Sequence, residues 1–249
     1  VGTTRDVADD YSHILLTGAR GRLGTELVGL MPGIRATDVD DFDVTNRASM
    51  EAAIARQRPR CIVHAAAYTD VAGAEKDRLA CWRLNVEGTR NVAILCEDRG
   101  IQLVHISTDY VFDGTTGDYR EDDPLGPVRN YYALTKLVAE AVARVAPEHL
   151  VIRTSFRPRQ WPYEMAVTDA FTSQDTIDVI APEIALAVGR FEAIPYQTLH
   201  IATERKSVYD LARRSRPDVR PGRRADLPVQ LPADTSLNID RWRALKESW

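Results

Sequence analysis

Tyr132 and Lys136 stand four residues apart in the stretch NYYALTK, within a run that has helical spacing. Residues four apart share a helix face. Tyr131 is five residues from Lys136, which turns it roughly 140° away at 3.6 residues per turn. Tyr132 is therefore the paired tyrosine. A free phenol has a pKa of about 10; a nearby ammonium favours the phenolate and lowers that value. A phenol tuned in this way suits general acid–base work. Tyr-x-x-x-Lys also arises by chance on helices that do no chemistry, so its context decides. Ser107 and Thr108 close an apolar run, IQLVHIS and the residue after it. They fall at the carboxyl end of a strand, where open α/β sheets bind ligands. A hydroxyl, a tyrosine and a lysine set beside a dinucleotide make a carbonyl-reduction centre.

A dinucleotide site is suggested by TGARGRLG, which places Gly18, Gly21 and Gly24 between a strand-like run and a helical one. Glycines let the backbone approach a pyrophosphate, and a helix N-terminus supplies N–H donors and a positive dipole end. The same glycines could simply make a tight turn. Asp38 lies twenty residues after Gly18, at the end of the second strand-like run. An acid there accepts from the ribose hydroxyls of NAD and repels a 2′-phosphate. Among Asp38, Asp40, Asp41 and Asp43 it could equally be a solvated loop acid, and Arg20 or Arg22 could pair with a 2′-phosphate. The reading favours NAD(H) and leaves NADP(H) open. Thr25-Glu26 after Gly24 is not the Lys-Ser/Thr of an NTPase phosphate loop.

These residues need a frame to hold them. Strand-like runs cover 13–17, 33–38, 60–67, 101–107 and 149–155, and helical patterns cover 22–30, 47–57, 74–100 and 131–145. Such alternation predicts a Rossmann-type doubly wound parallel sheet with helices on both faces. Beyond Ser155 the pattern weakens: 175–190 looks helical with Pro182 interrupting it, 198–203 reads as a strand, 207–215 as a helix, and the C-terminal residues as a last helix. The expected organisation is a disordered tail over 1–11, a dinucleotide-binding domain over 12–156 and a shortened substrate-side region over 157–249 that partly completes the sheet.

The chain has 249 residues, 44% hydrophobic and 27% charged, with a net charge of −4. That is enough apolar material for a core, and a mildly acidic chain is a poor partner for nucleic acid or an anionic membrane. The Arg-rich run 213–224 lacks interleaved aromatics; it reads as a solvated loop or a contact to a substrate diphosphate. His64 and His105 lie in strand-like runs and read as satisfied core or sheet-end histidines. Cys61, Cys81 and Cys96 show no paired or metal-ligand spacing, so they read as reduced core thiols, which favours a cytoplasmic setting. No apolar run reaches membrane-spanning length. No metal is expected.

The strings GARGRLG, HAAAYTDVAGAE, LNVEGT, ISTDYVFDG, YALTK and IRTS resemble the extended short-chain dehydrogenase/reductases, and within them the dTDP-4-dehydrorhamnose reductase family. The resemblance is good over about residues 12–156 and returns in LPADTSLNIDRW. It implies an enzyme that reduces a keto group, at C4, of a nucleotide-linked deoxysugar, with a possible homodimer. Tyr132 would be the proton donor, Lys136 would bind the nicotinamide ribose and tune Tyr132, and Thr108 would hydrogen-bond the ketone oxygen. Gly18, Gly21, Arg22, Leu23 and Gly24 would line the pyrophosphate site, and Asp38 would take the adenosine ribose. Asp43 and Val44 would sit near the adenine, and Ala65, Ala66, Tyr68 and Ser107 near the cofactor. Asp109 and Phe156 match substrate-side positions; Phe156 stands where the family has Trp. One helix and its connecting loop are missing around 157–170 relative to the family, which leaves open a non-catalytic dinucleotide-binding regulatory subunit; an epimerase or dehydratase of the same superfamily is the other reading, against which Asp109 is followed by Tyr110 and not by a glutamate.

Overall fold

The computed structural model describes residues 10–227 and 231–249. Its first part comprises β1 (Ile14–Thr17), α1 (Arg22–Leu30), β2 (Arg35–Ala36), α2 (Arg47–Gln57), β3 (Cys61–His64), α3 (Val71–Lys76), α4 (Arg78–Trp82), α5 (Thr89–Arg99), β4 (Gln102–Thr108), α6 (Tyr131–Ala143) and β5 (His149–Thr154). There follow β6 (Phe156–Arg157), β7 (Met165–Val167), β8 (Phe171–Thr172), β9 (Asp175–Thr176), α7 (Ile177–Gly189), β10 (Thr198–His200), β11 (Lys206–Ser207), α8 (Val208–Ser215), β12 (Arg220–Gly222) and α9 (Asp240–Glu247). Six strands form one sheet in the order β10-β5-β4-β3-β1-β2, with every neighbouring pair parallel.

The central strands are largely apolar because both faces are covered. Ile14 and Leu16 pack with Leu27 of α1, Ile184 of α7 and Trp242 of α9. Leu15, between them, points the other way and packs with Met50 of α2, Leu95 of α5 and Ala143 of α6. This is the expected doubly wound Rossmann-type sheet. The chain steps from β1 outward to β2, then returns to the other side of β1 to lay down β3. Such a reversal opens a crevice at the carboxyl ends of the strands.

Several elements differ from the sequence reading, each for a local reason. The single helical pattern over 74–100 is broken: Asp77 accepts a hydrogen bond from the Ala80 amide and starts α4. A π-helical turn over Arg83–Gly88 then leads into α5. Buried Asn85 sits in that turn and bonds the Tyr68 backbone and the Thr135 hydroxyl. As expected, Gly100 ends the helix in a left-handed conformation, φ 61°. The second strand shrinks to two residues. α7 runs through Pro182; the proline lies on the exposed side of the helix, so the amide bond it cannot donate is lost at the solvent face and not in the core. Residues 1–9 of the expected tail lie outside the described residues, while Tyr11 packs against the core beside α7.

Residues 157–174 hold short strands and no helix. β7 pairs with β12, β8 with β11, and β6 with β9. Trp161, Ala166, Ala212 and Val219 form a small separate core there. The Arg-rich run over 213–224 is not the single loop expected: it holds the end of α8 and β12, and Arg214 binds Asp175 and Glu204, Arg220 binds Glu164, and Arg224 binds Asp169.

Candidate active site

At the crevice lies a cleft of about 690 Å³. Its cofactor-like end is built by the loop between β1 and α1. Gly18 has φ +70°, and a Cβ there would meet the Ala66 backbone at 2.8 Å. A Cβ on Gly24 would lie 2.2 Å from the Gly18 carbonyl oxygen. Both positions therefore exclude any other residue, and the loop can fold tightly against the end of β3 and the start of α1. No side chain caps the N-terminus of α1, so its first N–H groups remain available to an anion. Asp38 stands across this end. Its carboxylate accepts from the Arg20 amide at 2.9 Å, the Val39 amide at 2.9 Å and the Arg20 guanidinium at 3.1 Å. Arg20 also pairs with Asp40 at 2.8 Å.

The other wall is set by β4 and α6. Asn130 caps α6, accepting from the Ala133 amide at 2.8 Å. The helix then lays Tyr132 and Lys136 along the cleft, as the four-residue spacing requires. Tyr131 faces elsewhere: its amide donates to Glu75 at 2.7 Å and its ring lies 5.0 Å from the Arg78 guanidinium. Thr108 ends β4 and donates to Asp109 at 3.0 Å. Lys136 is buried and donates from Nζ to the Ile106 carbonyl at 2.7 Å. Behind it, Glu140 accepts from Ser107 at 2.6 Å and from Arg153 at 2.9 Å, in an ion pair only 2% exposed on each side.

The electrostatics differ from the sequence expectation. Burial and the adjacent Asp109 push the Tyr132 phenol above its ordinary value, against the opposing effect of Thr108. Burial lowers Lys136 to about 8, with Glu140 acting in the other direction. Burial and Asp109, and not the Lys136 ammonium that the spacing suggested, thus set the proton affinity of the phenol. A phenol that keeps its proton at neutral pH is the form a reduction needs, because a developing alkoxide is a stronger base than a phenolate. Burial also raises Asp109, although Thr235, Thr108, Gln174 and Ser155 hydrogen-bond to it.

Gly18, Gly21, Arg22, Leu23, Gly24, Asp38, Asp43, Val44, Ala65, Ala66, Ser107, Thr108, Asp109, Tyr132, Lys136 and Phe156 all line the cleft. Tyr68 does not; its amide is held by Asn85 at 2.7 Å and its hydroxyl lies against Gly73. The Ser107 hydroxyl is committed to Glu140. None of the arginines of 213–224 lines the cleft, so that run does not reach a ligand there. His64 is held between Thr17 at 2.9 Å and Thr89 at 3.1 Å. His105 is buried with neither ring nitrogen bonded among the described residues, unlike the satisfied histidine expected. Sequence reasoning missed Tyr110, Ser155, Arg157 and Gln174. Ser155 and Arg157 could have been found from their place just past a strand's carboxyl end; Gln174 lies where the sequence has no period.

A family model described as the RmlD substrate binding domain matches residues 12–181. A dTDP-4-keto-6-deoxy-D-glucose reductase of Streptomyces niveus is 42% identical over 149 residues, covering 57% of this chain and 51% of the relative. The first curated relatives are thus matched over about half their length. A probable dTDP-4,6-dihydroxy-2-methyloxan-3-one 4-ketoreductase of Streptomyces antibioticus is 35% identical over 262 residues, covering 92% of this chain and 88% of the relative. The solved dTDP-4-dehydrorhamnose reductase of Bacillus anthracis, in complex with NADP, is 24% identical with a TM-score of 0.81, covering 93% of this chain and 90% of that one.

Proposed function

The chain belongs to the RmlD substrate-binding domain family, and on that basis we propose that it is an oxidoreductase reducing the C4 keto group of a dTDP-linked deoxysugar. The observation that carries the reading is the joint placement of Thr108, Tyr132 and Lys136 in one cleft with the glycine loop of β1 and α1. The loop fits a nicotinamide dinucleotide: Gly18 and Gly24 let its backbone fold tightly against the end of β3 and the start of α1, and the uncapped end of α1 offers N–H groups to a pyrophosphate. When bound, the reduced nicotinamide supplies hydride to the carbonyl carbon. Thr108 hydrogen-bonds the carbonyl oxygen, and Tyr132 delivers the proton that its surroundings make it keep. Lys136, fixed on the Ile106 carbonyl, presents its remaining N–H bonds to the nicotinamide ribose. Asp109 and Phe156 border the sugar.

The cofactor preference follows from Asp38. Its carboxylate is fixed by three hydrogen bonds at the cofactor end, where it accepts ribose hydroxyls and opposes a 2′-phosphate. Arg20 is already engaged by two carboxylates. The reading is NAD(H) in preference to NADP(H), in contrast to the NADP found in the Bacillus anthracis structure.

The test combines the protein with a dTDP-4-keto-6-deoxyhexose and either reduced dinucleotide, following nicotinamide absorbance and product mass. The expected result is oxidation of NADH with a sugar product two hydrogens heavier, and calorimetric affinity greater for NADH than for NADPH. Absence of oxidation with both cofactors contradicts the activity. Tighter binding of NADPH contradicts the role given to Asp38.

A further inference from the structure

Four cations line the cleft: Arg20, Arg22, Lys136 and Arg157. Two are already committed. Arg20 pairs with Asp38 and Asp40, and Lys136 donates to the Ile106 carbonyl. Arg22 opens α1 beside the glycine loop, at the end of the cleft proposed for the cofactor pyrophosphate. Arg157 is different. It lies in β6, just beyond the carboxyl end of β5, and β5 is three strand positions from β1 in the sheet, roughly 14 Å at ~4.8 Å per strand.

Arg157 is held but not neutralised. Its Nε donates to Gln174 Oε1 at 2.8 Å, and its guanidinium lies 5.6 Å from the centre of the Trp161 ring. Gln174 is buried, and its amide also reaches Asp109. The one amide thereby fixes Arg157 on one side and a buried carboxylate on the other. Among the described residues Arg157 has no ion pair, and its Nη groups carry no hydrogen bond. A guanidinium fixed through Nε presents its outer N–H fork, which matches phosphate geometry. The Arg-rich run over 213–224, the other candidate for such a contact, stays outside the cleft.

We propose that Arg157 is an anion-recognising residue at the substrate end of the cleft, where it binds a phosphate of the substrate's nucleoside diphosphate. This rests on the nucleotide-sugar reading above. Gln174 is its positioning residue: it sets the direction of the fork without touching the ligand.

Calorimetric titration with dTDP and with thymidine tests the assignment in the full chain and in Arg157→Leu, Arg157→Lys and Gln174→Leu. Hydrogen bonds to charged groups are worth about ten- to a hundredfold in affinity. Arg157→Leu is expected to weaken dTDP binding by about that factor, with thymidine and NADH binding unchanged. Arg157→Lys recovers part of the loss, and Gln174→Leu gives a smaller loss. Unchanged NADH binding shows that each variant is folded. Arg157→Leu binding dTDP as tightly as the wild type overturns the assignment and leaves the reductase reading standing. Equal losses for thymidine and dTDP also overturn it, because the phosphates are then not what is recognised. A wild type that binds no dTDP overturns both the assignment and the nucleotide-sugar reading.

Discussion

With Lys136 proposed to hold the nicotinamide ribose, the pH dependence of cofactor use is expected to follow its charge. Burial lowers it to about 8, so its charge is present below that pH and lost as pH rises through it. kcat/KM for the reduced dinucleotide reports groups of the free enzyme. It is expected to hold level at lower pH and fall as pH rises through about 8, and Lys136→Met should flatten the profile at a low value. A profile that rises through that region would contradict the role of the charge. The sequence made Lys136 and Tyr132 legible through their four-residue spacing, which the helix preserves. It did not make their proton affinities legible. Those depend on how deeply α6 is covered and on Asp109, which approaches from the end of another strand.

At the scale of the element, α6 is fixed from behind by charge. Glu140 lies one turn beyond Lys136 and is held by Arg153 of β5 and Ser107 of β4. One contact set therefore ties the helix to two central strands. Removing one partner of a buried pair costs about 3–5 kcal/mol, because the other charge is left uncompensated. Glu140→Leu should lower the urea midpoint by that equivalent, and the double change Glu140→Leu with Arg153→Met should recover part of it. A loss below about 1 kcal/mol for the single change would mean that solvent reaches Arg153 after all. The helix itself was legible in the sequence, but this pairing was not, since Glu140 and Arg153 look like ordinary polar residues until β5 pairs with β4. The opposite failure occurred over 74–100, where helical spacing hid the cap made by Asp77. A side chain that can bond an amide three residues on competes locally with a continuous helix.

The whole molecule follows the rules of parallel sheets, which is why its first part was readable. Short apolar runs, glycine turns and amphipathic helices alternate in order, and a sheet covered on both faces leaves few alternatives. The segment after Phe156 was less readable because its strands are two or three residues long and pair with distant partners, as β7 does with β12. Period cannot reveal such pairing. Tyr68 shows the same limit within the site: its position after β3 suggested the cleft, but Asn85 of the π-helical turn holds its backbone elsewhere. In the proposed reduction Tyr132 is the proton donor. The measurement that tests it most directly is the single-turnover rate of NADH oxidation by a dTDP-4-keto-6-deoxyhexose in wild type, Tyr132→Phe and Tyr131→Phe. Loss of a general acid typically costs about 10²–10⁴ in rate; that loss is expected for Tyr132→Phe with NADH binding intact, and Tyr131→Phe should stay near wild type. A Tyr132→Phe variant that turns over at the wild-type rate, or a Tyr131→Phe variant that alone abolishes turnover, would contradict the account.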